Sequence, residues 1–488
     1  MAALFMRHLL DVVATILFPS IPRCQRPIHG DRFSGRALSL AAVIAVLIAM
    51  FAFAHPAYAA CGGSGPSFVA ASGNPRDIAA CHSAASSRSC DTITVPPGRY
   101  TWTSPNPSLV ITKCVTLDMT GVSIINNTSG GGGTAMIELT DSSVGHSELK
   151  GVTFLSGTSQ SYSLRLKGAA RSKAAKLHDF TYRQATNCGG SCFGIRSEVN
   201  RGVWWNFTLT ADFLTFDSAF QLVPFGNAWS EASTMGANDA TGESNTYIEH
   251  GTFTNFFIQC FDLSVGSKNV IRYNTFTNCV VGSHGKDTGE VSHRHTEFYG
   301  NTFVLNEAPL CAARQQLFDW INLRGGTLVV TENTMADVPA ICRGIGGRPA
   351  ITLVSHNLSR RYNAGDGNPA SGEIFNPCWG ANSPPARAPG QTWPVPQQVG
   401  QGNDGTKKPE KFGSTNFTEP VYVWSNTGTV TVQPERYPSA VFGSLGPQCP
   451  GEQSVSVFIQ PGRDYIVGIP KPGYTQYPYP HPLAGSSR

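Results

Sequence analysis

The chain has 488 residues, of which 14% are charged, with 51 glycines, 33 prolines and a formal net charge of +4. Low charge with so much Gly, Pro, Thr, Ser and Asn suits turn-rich β structure and argues against an assembly of long helices. No heptad or extended amphipathic helical period occurs anywhere in the sequence.

Residues 1–59 read as a leader. The run "ALSLAAVIAVLIAMFAFAHPAYA", from Ala37, is an apolar core ending in Ala57-Tyr58-Ala59, a small-residue cleavage pattern. A membrane anchor is the alternative, because the apolar run is long for a signal. Residues 1–59 hold five Arg and two Asp, so removing them lowers the net charge from +4 to +1. The basicity is a leader property and makes no case for nucleic acid. Of 13 cysteines only Cys24 lies in the leader, and the remaining 12 point to disulfides in an oxidising compartment. The expected location is secreted, periplasmic or cell-surface, with no stable membrane insertion after cleavage.

After the leader, "GNPRDIAACHSAA" (73–85) predicts a capping helix with Asn74 before it, Pro75 in its first position and Ile78, Ala79 and Cys81 buried. "CDTITVPPGRYTW" then reads as a strand and tight turn. "CGGSC", Cys188 to Cys192, reads as a disulfide-closed loop and not a metal site. Trp204, Trp205 and Trp320 are expected at the surface, where they would stack on sugar rings or pack locally.

From Tyr247 the chain repeats itself: "YIEHGTFTNF", "VIRYNTFTNC", "TEFYGNTFVL", "LVVTENTMAD" and "ITLVSHNLSR". Aligned, they give apolar columns Ile248, Ile271, Phe298, Val330, Val354 and Phe253, Phe276, Phe303, Met335, Leu358. Between these lies Gly251, Asn274, Asn301, Asn333, Asn357. Short β-rich units repeated every few tens of residues build a β-solenoid. Asn in this column turns a corner in the left-handed conformation, and its amide reaches the next rung. Glu249 aligns with Arg272 one rung on, which predicts a surface ion pair.

The Phe253 column advances by 23, 27, 32 and 23 residues, so two rungs extrude loops. The first loop holds the densest charge of the chain, "HGKDTGEVSHRHTE" (284–297). Eliminative cleavage of a uronic-acid polymer needs a neutralised carboxylate, a base and a proton donor, and this segment supplies every residue type required. His284, Lys286, Asp287, Arg294 and Arg324 are the catalytic candidates, and His293, Asp319 and Trp320 the substrate-binding ones. Asp262 and Asp287 are the metal candidates. No cofactor is demanded, and calcium is the one considered. A solvated charged loop is the bland alternative. Residues 376–420 read as an irregular Pro/Gly-rich connection, and 421–488 as a β-strand arm on the solenoid or a small separate domain. Neighbouring rungs bring cysteines within bridging distance, with Cys260–Cys279 the leading pair. Cys188–Cys192, Cys311–Cys342 and Cys378–Cys449 follow.

These features resemble the right-handed parallel β-helix proteins of the pectate-lyase-like superfamily. "ITVPPGRYTW" is similar to the entry motif of exported members. "YIEHGTF", "FDLSVGSKNVIRYNTF" and "VVGSHGKD" resemble the pectate lyase run written vWiDH with its following strands. "GRDYIVGIPKPGYTQYPYPHPL" is similar to the C-terminal signature of exported bacterial β-helix proteins of unassigned activity. The resemblance implies an all-β right-handed parallel β-helix over 60–375 with an N-terminal capping helix and a Pro/Gly-rich C-terminal arm. It also implies action on polysaccharide. Glu249 stands where vWiDH has Asp, and neither R-x-P-x-x-R nor the Asp-Asp and R-I-K signatures of polygalacturonases occur. Two functions therefore stay open: a lyase of acidic glycan, and a non-catalytic glycan-binding or structural protein.

Overall fold

The computed structural model describes residues 61–129, 134–157, 161–168, 172–185, 193–199, 201–215, 219–222, 239–256, 260–283, 293–306, 319–336, 351–353, 399–400, 419–428, 430–433, 441–442, 453–454 and 459–485. They belong to one compact unit, Ala59–Arg488. The expected leader, the irregular connection and the cysteines 188, 192, 311, 342, 378 and 449 lie outside the described residues. Among those described, no helix is long and apolar enough to cross a membrane.

Nearly all of it is β structure in two parallel sheets, one of 18 strands and one of 10. Each repeat supplies three short extended runs. The first and second lie in the large sheet on either side of a bend, and the third lies in the small sheet. Each run pairs in register with the same run one repeat later, giving a solenoid-like stack. The first-run column is Ile93, Leu117, Leu149, Leu177, Trp204, Ile248, Ile271, Phe298, Val330 and Val423. The second-run column is Ile124, Phe154, Tyr182, Leu209, Phe253, Phe276, Phe303 and Met335. Both columns are buried throughout. Because a column repeats at the strand spacing of about 4.8 Å, identical rings stack: Phe253, Phe276 and Phe303 have centroids 4.9 and 4.8 Å apart.

The corner between first and second runs departs from expectation. The left-handed residue is the one before each Asn, Tyr273 (φ 55°), Gly300 (66°), Glu332 (57°) and Ser425 (52°), and His250 (50°) before Gly251. A non-glycine residue there costs about 1–2 kcal/mol. The Asn side chain offsets it. Asn301 donates through Nδ2 to Ile271 O and to Asn333 Oδ1, both at 2.9 Å, while its Oδ1 accepts the backbone N–H of Asn274 at 2.9 Å. Asn333 repeats the pattern onto Asn426. Gly251 ends the ladder: its N–H donates to Asn274 Oδ1 at 2.7 Å, and the Phe207 ring occupies the space of a side chain.

The ladder continues to Asn426, and not to Asn357. Ile351–Thr352 pairs with Ile321–Asn322 in the small sheet, and Val421–Trp424 takes the next place on Thr327–Thr331. Val354, Asn357 and Leu358 lie outside the described residues. Tyr465–Val467 pairs in turn with Val421–Val423, after which residues 471–484 run back over the outer side of the first-run strands.

At the N-terminal end Cys61–Ser64 and Ser67–Ala70 form an antiparallel hairpin, and the second of these pairs in parallel with Asp91–Thr94. Helix α1, Pro75–Ala84, packs beside them by Ile78 and Cys81. Asn74 precedes it, but its side chain makes no capping bond. Disulfides join Cys61 to Cys81, Cys90 to Cys114 and, as the rung spacing predicts, Cys260 to Cys279 with Cα atoms 5.5 Å apart.

Candidate functional site

In the small sheet, inward residues alternate with outward ones. Ile137, Leu164, Ile195, Phe220 and Phe261 form one inner column, and the residues following them point away from it: Glu138, Arg165, Arg196, Gln221 and Asp262, of which Glu138 and Asp262 are buried. Five consecutive rungs thus carry a polar side chain at the same outward position, and they are bonded to one another. Lys167 Nζ and Arg165 Nη1 donate to Glu138 at 2.8 and 3.3 Å. Arg165 Nε and Arg196 Nε both donate to Glu198 Oε1, at 2.7 and 2.9 Å. Arg196 Nη1 and the Tyr162 hydroxyl donate to Gln221 Oε1, and Gln221 Nε2 donates to Asp262 Oδ2 at 2.9 Å. Arg196 also lies 5.5 Å from the Tyr162 ring centroid.

This chain of contacts forms a track about four strand spacings long, or about 19 Å. Lys167, Arg165 and Arg196 balance Glu138, Glu198 and Asp262 one for one. The Lys167, Arg165 and Arg196 side chains remain 35, 18 and 19% exposed, while Glu198 is 4% exposed. The carboxylate is therefore the buried anchor that holds two guanidinium planes at the surface. Burial pushes the Tyr162 phenol up, keeping it a neutral donor. Fixed guanidinium forks, an amide and a phenol suit polyhydroxylated or carboxylated ligands.

Among the expected site residues, Asp262 ends this track. The next outward positions are Gly282 and Asn322, whose amide donates to Asp319 Oδ2 at 3.1 Å. Arg324 follows, its backbone N–H donating to Ser283 Oγ at 2.7 Å. His284, Lys286 and Asp287 lie outside the described residues. His293 and Arg294 stand at the corner entering the large sheet. There Arg294 is fully buried and donates to Glu419 at 2.8 Å, and His293 Nε2 donates to Thr327 O at 3.2 Å. Burial pushes the His293 imidazole down to about 4, so it is neutral near pH 7. Asp262 and Asp319 thus share the small-sheet side with the track, whereas His293 and Arg294 occupy a structural corner.

Three expectations are corrected. Trp320 is wholly buried, its indole donating to Ala336 O at 3.0 Å and its ring lying 5.4 Å from Phe303, so it belongs to the core and not to a sugar platform. Trp204 and Trp205 are buried too, the latter stacked on His178 at 4.1 Å. Glu249 and Arg272 do pair, but both are fully buried, because residues 477–481 cover them.

Calcium takes six to eight oxygen ligands. Among the described residues no three His, Cys, Asp or Glu side chains gather as a metal site, and one Asp262 oxygen is already held by Gln221. The described donor set does not fit the ion.

Comparisons with protein families, curated proteins and solved structures find no match for the chain. The track residues Glu138, Arg165, Arg196, Tyr162 and Gln221 escaped sequence reading. Their signal was the alternation within "AMIELT", "YSLRLK", "FGIRS" and "FQL", which becomes a column only once the strands are set in register.

Proposed function

We propose that the chain is an exported right-handed parallel β-helix protein, capped at its N-terminal end by α1, that binds polysaccharide along the small-sheet track. The observation carrying this reading is the in-register polar column from Glu138 to Asp262, bonded end to end and partly exposed at its two arginines. An extended polymer lying along the stack meets a polar or charged side chain at each of five rungs, which multiplies weak contacts along its length. The three disulfides among the described residues suit an oxidising compartment.

A second reading, eliminative cleavage of an acidic glycan, is favoured by one observation. The track runs towards Asp262, Asp319 and Arg324, and Arg324 is bonded to Ser283 immediately before the segment carrying His284, Lys286 and Asp287. Both readings are tested by electrophoresis of the secreted protein through gels containing single acidic or neutral polysaccharides, with parallel ultraviolet detection of unsaturated ends. Retardation by at least one polymer supports binding, and new unsaturated ends add the lyase. Unaltered mobility in every polymer overturns both.

A further inference from the structure

Residues 471–484 lie over a patch of ionisable side chains on the outer side of the large sheet. Arg272, paired with Glu249, donates to the carbonyls of Tyr477 and Pro478, each at 2.8 Å. The His481 backbone N–H donates to Glu249 at 3.3 Å, and His481 Nε2 donates to Asp239 O at 2.9 Å. Tyr479 lies on Tyr273 with centroids 3.7 Å apart, and Tyr477 meets Tyr247 edge-on at 5.5 Å.

Within this interface Glu297 is placed differently from Glu249. Its register neighbours above and below are Val270 and Val329, all three fully buried. One carboxyl oxygen accepts the Tyr474 hydroxyl at 2.8 Å, and the other has no hydrogen-bond partner. Among the described residues the one ionisable nitrogen within 4.0 Å is His295 Nε2, at 3.7 Å and itself unbonded. The other facing groups are accounted for. Arg272 is committed to Glu249 and the strap carbonyls. Lys471 reaches Glu419 at 3.7 Å, and Glu419 also holds Arg294. Lys268 stands beside His295 on the preceding rung, Tyr299 bonds Arg272, and Thr327 and Thr331 of the following rung carry no charge.

We infer that residues 471–484 are a strap whose closure is coupled to Glu297: neutral Glu297 accepts the closed strap, and ionised Glu297 loosens it. The physical reason is that closing the strap removes the carboxyl from water without supplying an ion pair, so the charged form is better solvated with the strap lifted. Burial holds the Glu297 carboxyl up at about 7, against an ordinary 4.5. The sign follows from a raised carboxyl: closure is unpenalised below the ordinary value, weakens as the pH climbs towards about 7, and changes no further above it. Lifting the strap uncovers Arg272, Glu249 and the rings of Tyr247, Tyr273 and Tyr299.

His481 works in the opposite direction. It is neutral in the closed strap, accepting the Leu483 N–H on Nδ1 at 3.1 Å, and burial lowers its affinity for a proton. His295 is held well below its ordinary value by burial and by Lys471. Acid therefore also opens the strap, and the two effects must be separated.

Amide hydrogen exchange at Tyr474, His481, Leu483 and Ala484, divided by the intrinsic rate at each pH, reports strap opening in the full chain. The ratio of opening constants, wild type to Glu297→Gln, cancels the histidine contributions. It is expected to rise about tenfold per pH unit between 4.5 and about 7 and then level. Tyr474→Phe removes the donor that favours the carboxylate, so the levelling moves to higher pH in a chain that keeps the ring. A ratio that stays flat across the window, or a Tyr474→Phe profile that levels at lower pH, overturns the coupling.

Discussion

Replacing Asn301 with alanine removes the middle of the corner ladder and leaves its flanks intact. The side chain makes four hydrogen bonds: Nδ2 to Ile271 O and to Asn333 Oδ1, and Oδ1 from the backbone N–H and Nδ2 of Asn274 at 2.9 and 3.0 Å. Asn333 Oδ1 keeps the Asn301 backbone N–H, and Asn274 Nδ2 keeps Ile248 O and Arg272 O. The Asn274 backbone N–H loses the acceptor it uses, inside a corner where Asn301 is 1% exposed. An unmatched buried donor costs about 1–3 kcal/mol and each of the other three bonds about 1 kcal/mol, so the loss should be about 4–6 kcal/mol. Urea unfolding with an unchanged denaturant slope, together with faster amide exchange at Asn274, checks it. Asn306→Ala, at an exposed side chain that anchors no corner, should stay within about 0.5 kcal/mol of wild type. Equal losses from the two substitutions would refute the ladder as a source of stability.

Four further outcomes are expected. Gly251→Ala places a Cβ 2.2 Å from the Phe207 ring and should lower stability by about 1–3 kcal/mol, with partial recovery in a Phe207→Leu background, read by thermal melting. Glu249→Gln leaves the Arg272 charge buried without its counter-ion and should cost about 3–5 kcal/mol, with earlier proteolysis within residues 471–484. Asp141 is held up to about 7, against 3.8, by burial that outweighs Arg201 at 3.5 Å. Asp141→Asn should therefore gain stability relative to wild type by at most about 1.4 kcal/mol per pH unit between those values and by a constant amount above them. Non-reducing peptide mapping should recover Cys61–Cys81, Cys90–Cys114 and Cys260–Cys279, and free thiols at these six positions would contradict the pairing.

The stack was legible in the sequence where translation symmetry is strict. Ile248, Ile271, Phe298 and Val330 occupy one column because identical spacing within each repeat forces identical pairing across it. The next step was not legible. "ITLVSHN" fits the apolar template, but the place above Thr331 belongs to "VYVWSN", which follows an excursion of some ninety residues that no local pattern measures. The polar track was hidden for a related reason: its strands are short, and neighbouring positions of the column stand from 25 to 41 residues apart, so no period marks them. Charge density drew attention to residues 284–297 instead. Two of its members, Arg294 and Glu297, serve buried contacts with Glu419 and Tyr474 that only the returning C-terminal segment creates.

The central claim is that polysaccharide lies along the small sheet, and affinity measured on matched arginines tests it most directly. Arg165 and Arg196 stand on the track, whereas Arg183, paired with Asp212 at 2.8 Å, stands on the second run of the large sheet. For whichever polymer retards the wild-type protein, Arg165→Gln and Arg196→Gln should each raise the Kd about tenfold, or about 1.4 kcal/mol, in variants whose circular dichroism is unchanged. Arg183→Gln should leave the Kd as it was. Equal Kd values for all four proteins, or a loss confined to Arg183→Gln, would place the polymer elsewhere and contradict the account.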